Sequence, residues 1–201
     1  MRRVNPSSDK TSIAVSRLGD PRHTAQVTDI PDPARHPRVL TVMAALEERG
    51  AAGAVRVLPD SARTAQEAAA ALGVHVGAIV NSLVFDAGGE AVLVLTSGAH
   101  RVDTGYLAEQ HALAKLARAS PDFVRAHTGQ AIGGVSPVGH PAPVRTLVDR
   151  WLARHPVIWA AAGHPYAVFP TTYAELLELT GGTPTDVTPT DATPADATRA
   201  D

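Results

Sequence analysis

IVNSLVFDAGGEAVLVLT, residues 79–96, decides the fold. Ile79–Phe85 and Ala91–Thr96 are apolar runs rich in β-branched residues. The DAGG between them, Asp86–Gly89, supplies the glycines of a tight reversal, so the segment reads as a β-hairpin. Asn81 and Ser82 interrupt the first run. A polar pair in an otherwise apolar strand must find hydrogen bonds, which a twist in the sheet or a ligand contact can supply.

Working outward, Leu40, Met43 and Leu46 share one helical face before Gly50. Ala54–Leu58 reads as a strand. Thr64 with Glu67 is a capping box that opens a helix over Ala65–Leu72, stopped by Gly73. Beyond the hairpin, Asp103 caps a helix to about His111, and Ser120-Pro121-Asp122 starts another that Gly129 closes. Thr172 with Glu175 opens a last helix that reaches Thr180 before Gly181. Strands are expected over Ala131–Gly134, Val144–Val148, Val157–Ala161 and Ala167–Phe169. Helices scattered among hairpin-compatible strands favour an α+β domain over a doubly wound sheet. Residues 37–181 make up that domain. Residues 1–36 lack apolar periodicity and contain Pro6, Pro21, Pro31 and Pro33, so they read as a disordered lead-in. Residues 182–201 read as a low-complexity, disordered Pro/Thr/Asp/Ala tail.

Of 201 residues, 44% are hydrophobic and 4% aromatic, which fits one domain with an aliphatic core. The absence of cysteine excludes disulfides, thiolate metal sites and cysteine nucleophiles. No apolar run is long enough to span a bilayer, and no apolar segment of a secretory signal follows Arg2 and Arg3. A cytoplasmic protein without a membrane partner is expected. The net charge is −2, and residues 41–180 carry ten basic against twelve acidic side chains. That balance does not suit a protein gripping a long nucleic-acid backbone, so DNA is not an expected partner and any nucleic acid is held by a small footprint.

AIGGVSPVGH, residues 131–140, concentrates glycine and proline between apolar runs. Glycines let backbone N–H groups approach a carbonyl or carboxylate closely, and Pro137 fixes the path of the chain. The Gly133-Gly134 pair lacks the spacing of a dinucleotide or phosphate loop. Ser136 lacks the second glycine of a nucleophile elbow. The nine histidines contain no H-E-x-x-H pattern, so no metal site is expected. His164 stands between Gly163 and Pro165, where an imidazole can face a cavity and donate to a carbonyl or orient water; a solvent-exposed loop histidine is the plain alternative. His100 and Asp103 are spaced to meet across a turn, with a surface pair or a helix cap as the plainer account, and Arg101 with Asp103 to form a loop ion pair.

Taken together, VNSLVF (80–85), LVLTSGAHRVD (93–103), AIGGVSPVGH (131–140) and WAAAGHPYAVFPTT (159–172) resemble, in order, the YbaK/EbsC family. Its members are free-standing relatives of the editing domain inserted in prolyl-tRNA synthetases, and the resemblance runs from about Arg38 to Gly181. It implies a single α+β domain with a curved, barrel-like mixed sheet flanked by helices. It also implies hydrolysis of the ester joining a wrong amino acid to the 3′ end of a tRNA. By the same resemblance, Gly133 and Pro137 match a G-x-x-x-P loop whose backbone holds the aminoacyl carbonyl with the glycine amide as oxyanion donor, and from this the amides of Gly133, Gly134 and Val135 are expected to hold the oxyanion. His164, with Gly163 beside it, borders the aminoacyl pocket, and Asn81 and Ser82 position the tRNA end. Asn81 is a departure, because many members carry a lysine there that contacts the terminal adenosine or its phosphate. An amide can hydrogen-bond a ribose or base but cannot neutralise a phosphate, and Arg101 is the candidate replacement.

An aminoacyl ester is an activated bond, so an oxyanion hole and a positioned water suffice and no cofactor is expected. The implied partner is the acceptor end of an aminoacyl-tRNA, with a synthetase or elongation factor as a carrier that could deliver it. Two rivals stand beside this reading. One is a non-catalytic aminoacyl-tRNA or small-ligand binding module that has lost turnover, supported by Asn81. The other is a hydrolase of a different ester or amide using the same loop. The deacylase reading expects Asn81, the Gly133–Pro137 loop and His164 to line one cavity.

Overall fold

A computed structural model describes residues 32–60, 62 and 64–189 of the chain. In order, the elements are α1 (Pro37–Glu48), β1 (Arg56–Val57), α2 (Ala65–Leu72), β2 (Ile79–Ala87), β3 (Glu90–Ser97), α3 (Thr104–Gln110), β4 (Ala117–Arg118), α4 (Pro121–Thr128), β5 (Arg145–Asp149), β6 (Ile158–His164), β7 (Ala167–Thr171), α5 (Tyr173–Thr180) and β8 (Thr183–Thr185). Local chemistry sets most helix ends. Thr64 and Glu67 make the reciprocal capping box of α2, Asp103 accepts from the Tyr106 amide to start α3, and Ser120 accepts from Phe123 N to start α4. Gly73, Gly129 and Gly181 close α2, α4 and α5 in the left-handed conformation.

All eight strands join one mixed sheet in the order β1-β7-β6-β2-β3-β5-β8, with β4 added to β2 off this path. The sheet is open: β1 and β8 are its edges. The β2–β3 hairpin at its centre is antiparallel, with Asn81 opposite Thr96 and Leu83 opposite Val94. Its outer neighbours are parallel, β6 beside β2 and β5 beside β3, so the strands are not all joined as hairpins. Alternation then sorts side chains to two faces. Val80, Leu93, Leu95, Val148, Ala160 and Phe169 join α1 and α5 in one core. On the other face Ile79, Trp159 and Val168 pack under α2, and Val92, Val94 and Leu147 pack with Leu107 of α3.

Four sequence expectations change. In α1 the buried stripe is Val39, Val42, Ala45 and Leu46, whereas Leu40 and Met43 are exposed. The reason is the close seat of α1 on β6, where a Cβ at Gly163 would sit 2.8 Å from the Arg38 carbonyl oxygen. Residues 131–134 form a turn and not a strand, because Gly134 N bonds back to Ala131 O at 3.2 Å and Gly133 takes a φ of +91°. His164 ends β6 and does not lie in a loop. The lead-in and tail lie mostly outside the described residues, but their inner ends are ordered. Pro33–Arg35 make a short 3-10 turn, Thr183–Thr185 pair with β5, and Val187 is buried against Leu107 and Leu147. One valine and a threonine-rich strand were enough to extend the core past residue 181.

Candidate active site

Gln130 builds the glycine loop. Its buried side chain reaches across the turn, Oε1 accepting from Ser136 N at 2.6 Å and Nε2 donating to the Val138 carbonyl at 3.1 Å. Gln130 N in turn donates to Thr128 Oγ1 at the end of α4, and His140 Nε2 pairs with the Ser136 carbonyl at 2.8 Å. Burial keeps the His140 pKa below the usual histidine range, although the bond to Ser136 pulls the other way. Ser136 itself is fully buried and its Oγ accepts from Val138 N, so it is a brace of the loop and no nucleophile.

This bracing leaves particular amides open. The Gly134 amide is spent on Ala131 O, which removes it from the expected donor set. Gly134 has a different use: a Cβ there would stand 2.9 Å from His164 Cα, so only glycine lets the loop lie against the end of β6. Among the described residues, the amides of Gly133 and Val135 have no hydrogen-bond partner. Both residues line a cavity of about 320 Å³ with Ser82–Phe85 of β2, Arg118 and Ala119 beside β4, Val124 and Ile132. The Ser82 Oγ is buried and unpaired. Apolar walls around a few unmet polar groups are the ordinary make-up of a ligand site.

His164 approaches this loop through its backbone. Its Nδ1 accepts from Tyr166 N at 3.3 Å, which leaves Nε2 to carry the proton of the neutral ring. Its ring lies 4.8 Å from that of His36 and 5.5 Å from that of Tyr166. Burial first, and then the nearby His36 and Arg38, hold the His164 pKa below the usual histidine value, so the ring is a neutral donor near pH 7.

The expected residues are brought together only in part. Ser82, Gly133 and Val135 share the cavity, and His164 touches the loop through Gly134. Asn81 points to the opposite face of β2 and lines a smaller cavity of about 60 Å³ with Thr64, Ala68 and Trp159. Pro137 lies past the Gln130 brace, beside a third hollow with Arg49 and His140. Arg101 is exposed, forms no ion pair among the described residues and lines none of these cavities. The cation that does line the larger cavity is Arg118, on a strand two residues long and too short to register as a pattern. Gln130 was equally invisible, since its partners are set by a turn. His100 does not meet Asp103. It pairs with Asp149 at 2.9 Å, and Asp103 caps α3 instead. Among the described residues no group of three or more His, Asp or Glu gathers where a metal could bind, and no helix is long and apolar enough to cross a membrane.

These segments and this topology have counterparts. The chain belongs to the aminoacyl-tRNA editing domain family, whose sequence model matches residues 59–192. A crystal structure described as a candidate trans-editing enzyme for prolyl tRNA synthetase superposes with a TM-score of 0.72 at 46% identity, covering 76% of this chain and 97% of that one. The proline–tRNA ligase of Lysinibacillus sphaericus is 33% identical over 91 residues, which are 45% of this chain and 16% of the ligase. The YwhH protein of Bacillus subtilis is 29% identical over 121 residues, 60% of this chain and 76% of that protein. The chain therefore spans only a small part of the ligase it matches.

Proposed function

We propose that the chain is a trans-editing aminoacyl-tRNA deacylase acting in the cytoplasm on the acceptor end of a mischarged tRNA. The observation that carries this reading is the pair of unengaged amides, Gly133 and Val135, in two residues that line one cavity with Ser82 and Arg118. Main-chain donors held rigid by Gln130 cost no reorganisation when an ester carbonyl turns into an oxyanion. A water adds to the carbonyl carbon and gives up a proton to solvent, and the resulting negative oxygen is held by the two N–H groups. The bond to the ribose oxygen then breaks, and that oxygen leaves as a hydroxyl with a proton from solvent. His164, neutral and with Nε2–H free, donates to the substrate at the pocket edge. Arg118, which lines the cavity, supplies a cation near the phosphate of the terminal nucleotide, a role that the neutral Asn81 cannot fill. No covalent enzyme intermediate is needed.

The test is a deacylation screen on Ala-, Ser- and Cys-charged tRNAs with wild type, Gly133→Ala and His164→Ala. The reading expects release of at least one amino acid and a clear loss in both variants. Unchanged turnover in both would remove the residue assignment. Binding of a non-hydrolysable aminoacyl-adenosine with no cleavage of any charged tRNA would favour the binding-module reading, which the neutral Asn81 supports. Cleavage of small acyl esters with no benefit from the tRNA portion would favour a different hydrolase.

A further inference from the structure

The sheet has a gap beside β2, and the gap opens into the proposed site. β2 pairs with β3 along its length, but on its other side it pairs with β6 only at Ile79 and Val80 and with β4 only at Phe85 and Asp86. Asn81 to Val84 have no partner strand on that side. The bond from Gly98 N to Ile79 O shows that odd-numbered residues of β2 direct their main chain at β3. In an antiparallel ladder the even-numbered ones then face away, so the N–H and C=O of Ser82 point into the gap, whereas the Val84 C=O faces the Ala119 amide where β4 pairs at Phe85 and Arg118. The cavity lies at this edge, since four successive residues, Ser82 to Phe85, all line it, which a pocket over one face of a strand would not produce.

The geometry points to a main-chain subsite for the α-ammonium of the aminoacyl group. In an aminoacyl ester that nitrogen is bonded to the carbon next to the reacting carbonyl, so a carbonyl oxygen seated on Gly133 and Val135 places it in the same cavity. An ammonium needs acceptors only, and no Asp or Glu lines the cavity. The His164 Nε2 carries a proton and cannot accept. What remains is the Ser82 carbonyl at the open edge of β2. The inference rests on the deacylase reading and narrows its substrate class. Esters with an unblocked α-amino group are cleaved, whereas N-acylated ones, peptidyl esters among them, are refused. They bring no charge, and they leave that acceptor unmet.

The experiment uses the full chain labelled for carbonyl carbon NMR, with 3′-deoxy-3′-(alanylamino)adenosine and its N-acetyl derivative as probes. The first is expected to shift the Ser82 carbonyl resonance and to bind about a hundredfold or more tighter than the second. Equal binding of both probes overturns the inference and leaves the deacylase reading standing. So does binding that moves the Gly133 and Val135 amides but leaves the Ser82 carbonyl unmoved. Binding of neither probe removes both.

Discussion

Around Asp149, four donors converge on one buried carboxylate; around Gly133, two main-chain amides of residues that line a cavity, and the buried hydroxyl of Ser82, have no partner. Asp149 Oδ2 accepts from Thr96 Oγ1 at 3.1 Å and Ser97 N at 3.0 Å and pairs with His100 Nδ1 at 2.9 Å, while Oδ1 accepts from Trp151 N at 3.0 Å. Trp151 is closed over by Arg154, 3.3 Å from its ring. Both clusters contain a histidine and buried polar groups, and from composition alone the Asp149 cluster is the more enzyme-like. Satisfaction separates them. A network with its donors spent holds the ends of β3 and β5 together and has nothing to offer a substrate. Amides left open beside a cavity carry a standing cost that a ligand can relieve.

The sharpest way to break this contrast is Asp149→Ala. It strands the buried donors of Thr96 and Ser97, and a loss of about 3–5 kcal/mol in unfolding free energy is expected from urea midpoints. Turnover per folded molecule should hold, because no atom of the cluster reaches the cavity. Gly133→Ala is the mirror image. There is open space for the methyl group, but a φ of +91° is strained for any L side chain. Stability should fall by only about 1–2 kcal/mol, whereas kcat drops by about 10²–10³ as the donors turn away. If Asp149→Ala were the catalytic loss and Gly133→Ala the structural one, the assignment of the two clusters would be reversed.

Gln130→Ala sharpens the comparison, since this side chain converts folding energy into loop geometry. Removing it unpairs Ser136 N and the Val138 carbonyl, so a loss of about 1–3 kcal/mol should accompany a fall in kcat. The smallest effect concerns His164. Its folded pKa lies below the ordinary value, so its stability contribution is present above that value and is lost as pH falls through the folded one. Deacylation should stay flat above neutrality and decline on the acid side. In a ring-proton titration by NMR, His36→Ala or Arg38→Ala should move the midpoint upward, because each removes a neighbour that holds the His164 pKa down. A downward move in either variant would contradict the electrostatic account.

Much of the framework was legible because it is local. The DAGG reversal, the Thr64–Glu67 box and the Ser120-Pro121 start each need only neighbouring residues, and each formed at its expected position. The misreadings have a common cause in tertiary contact. Leu40 and Met43 fit a helical stripe, yet Val39 and Val42 are buried because glycines on β6 and in the loop admit that side of α1. Ala131–Gly134 has strand-like composition at one end, but a Gly134–Ala131 bond turns it. His100 and Asp149 stand 49 residues apart, and nothing in either segment announces the other. Of the site, the glycine loop and Ser82 could be named in advance. Arg118, the Gln130 brace and the gap in β2 depend on how strands come together.

The central claim is that an N–H of the loop, and not a side chain, carries the acyl oxygen's charge. Replacing Val135 by its α-hydroxy acid converts that single amide to an ester and deletes one hydrogen atom's donor function without disturbing a side chain. Because the Val135 N–H has no partner in the folded protein, the melting temperature should be unchanged, while kcat for the amino acid released from charged tRNA should fall by about a hundredfold. Full activity in the substituted protein, with melting likewise unchanged, would contradict the account.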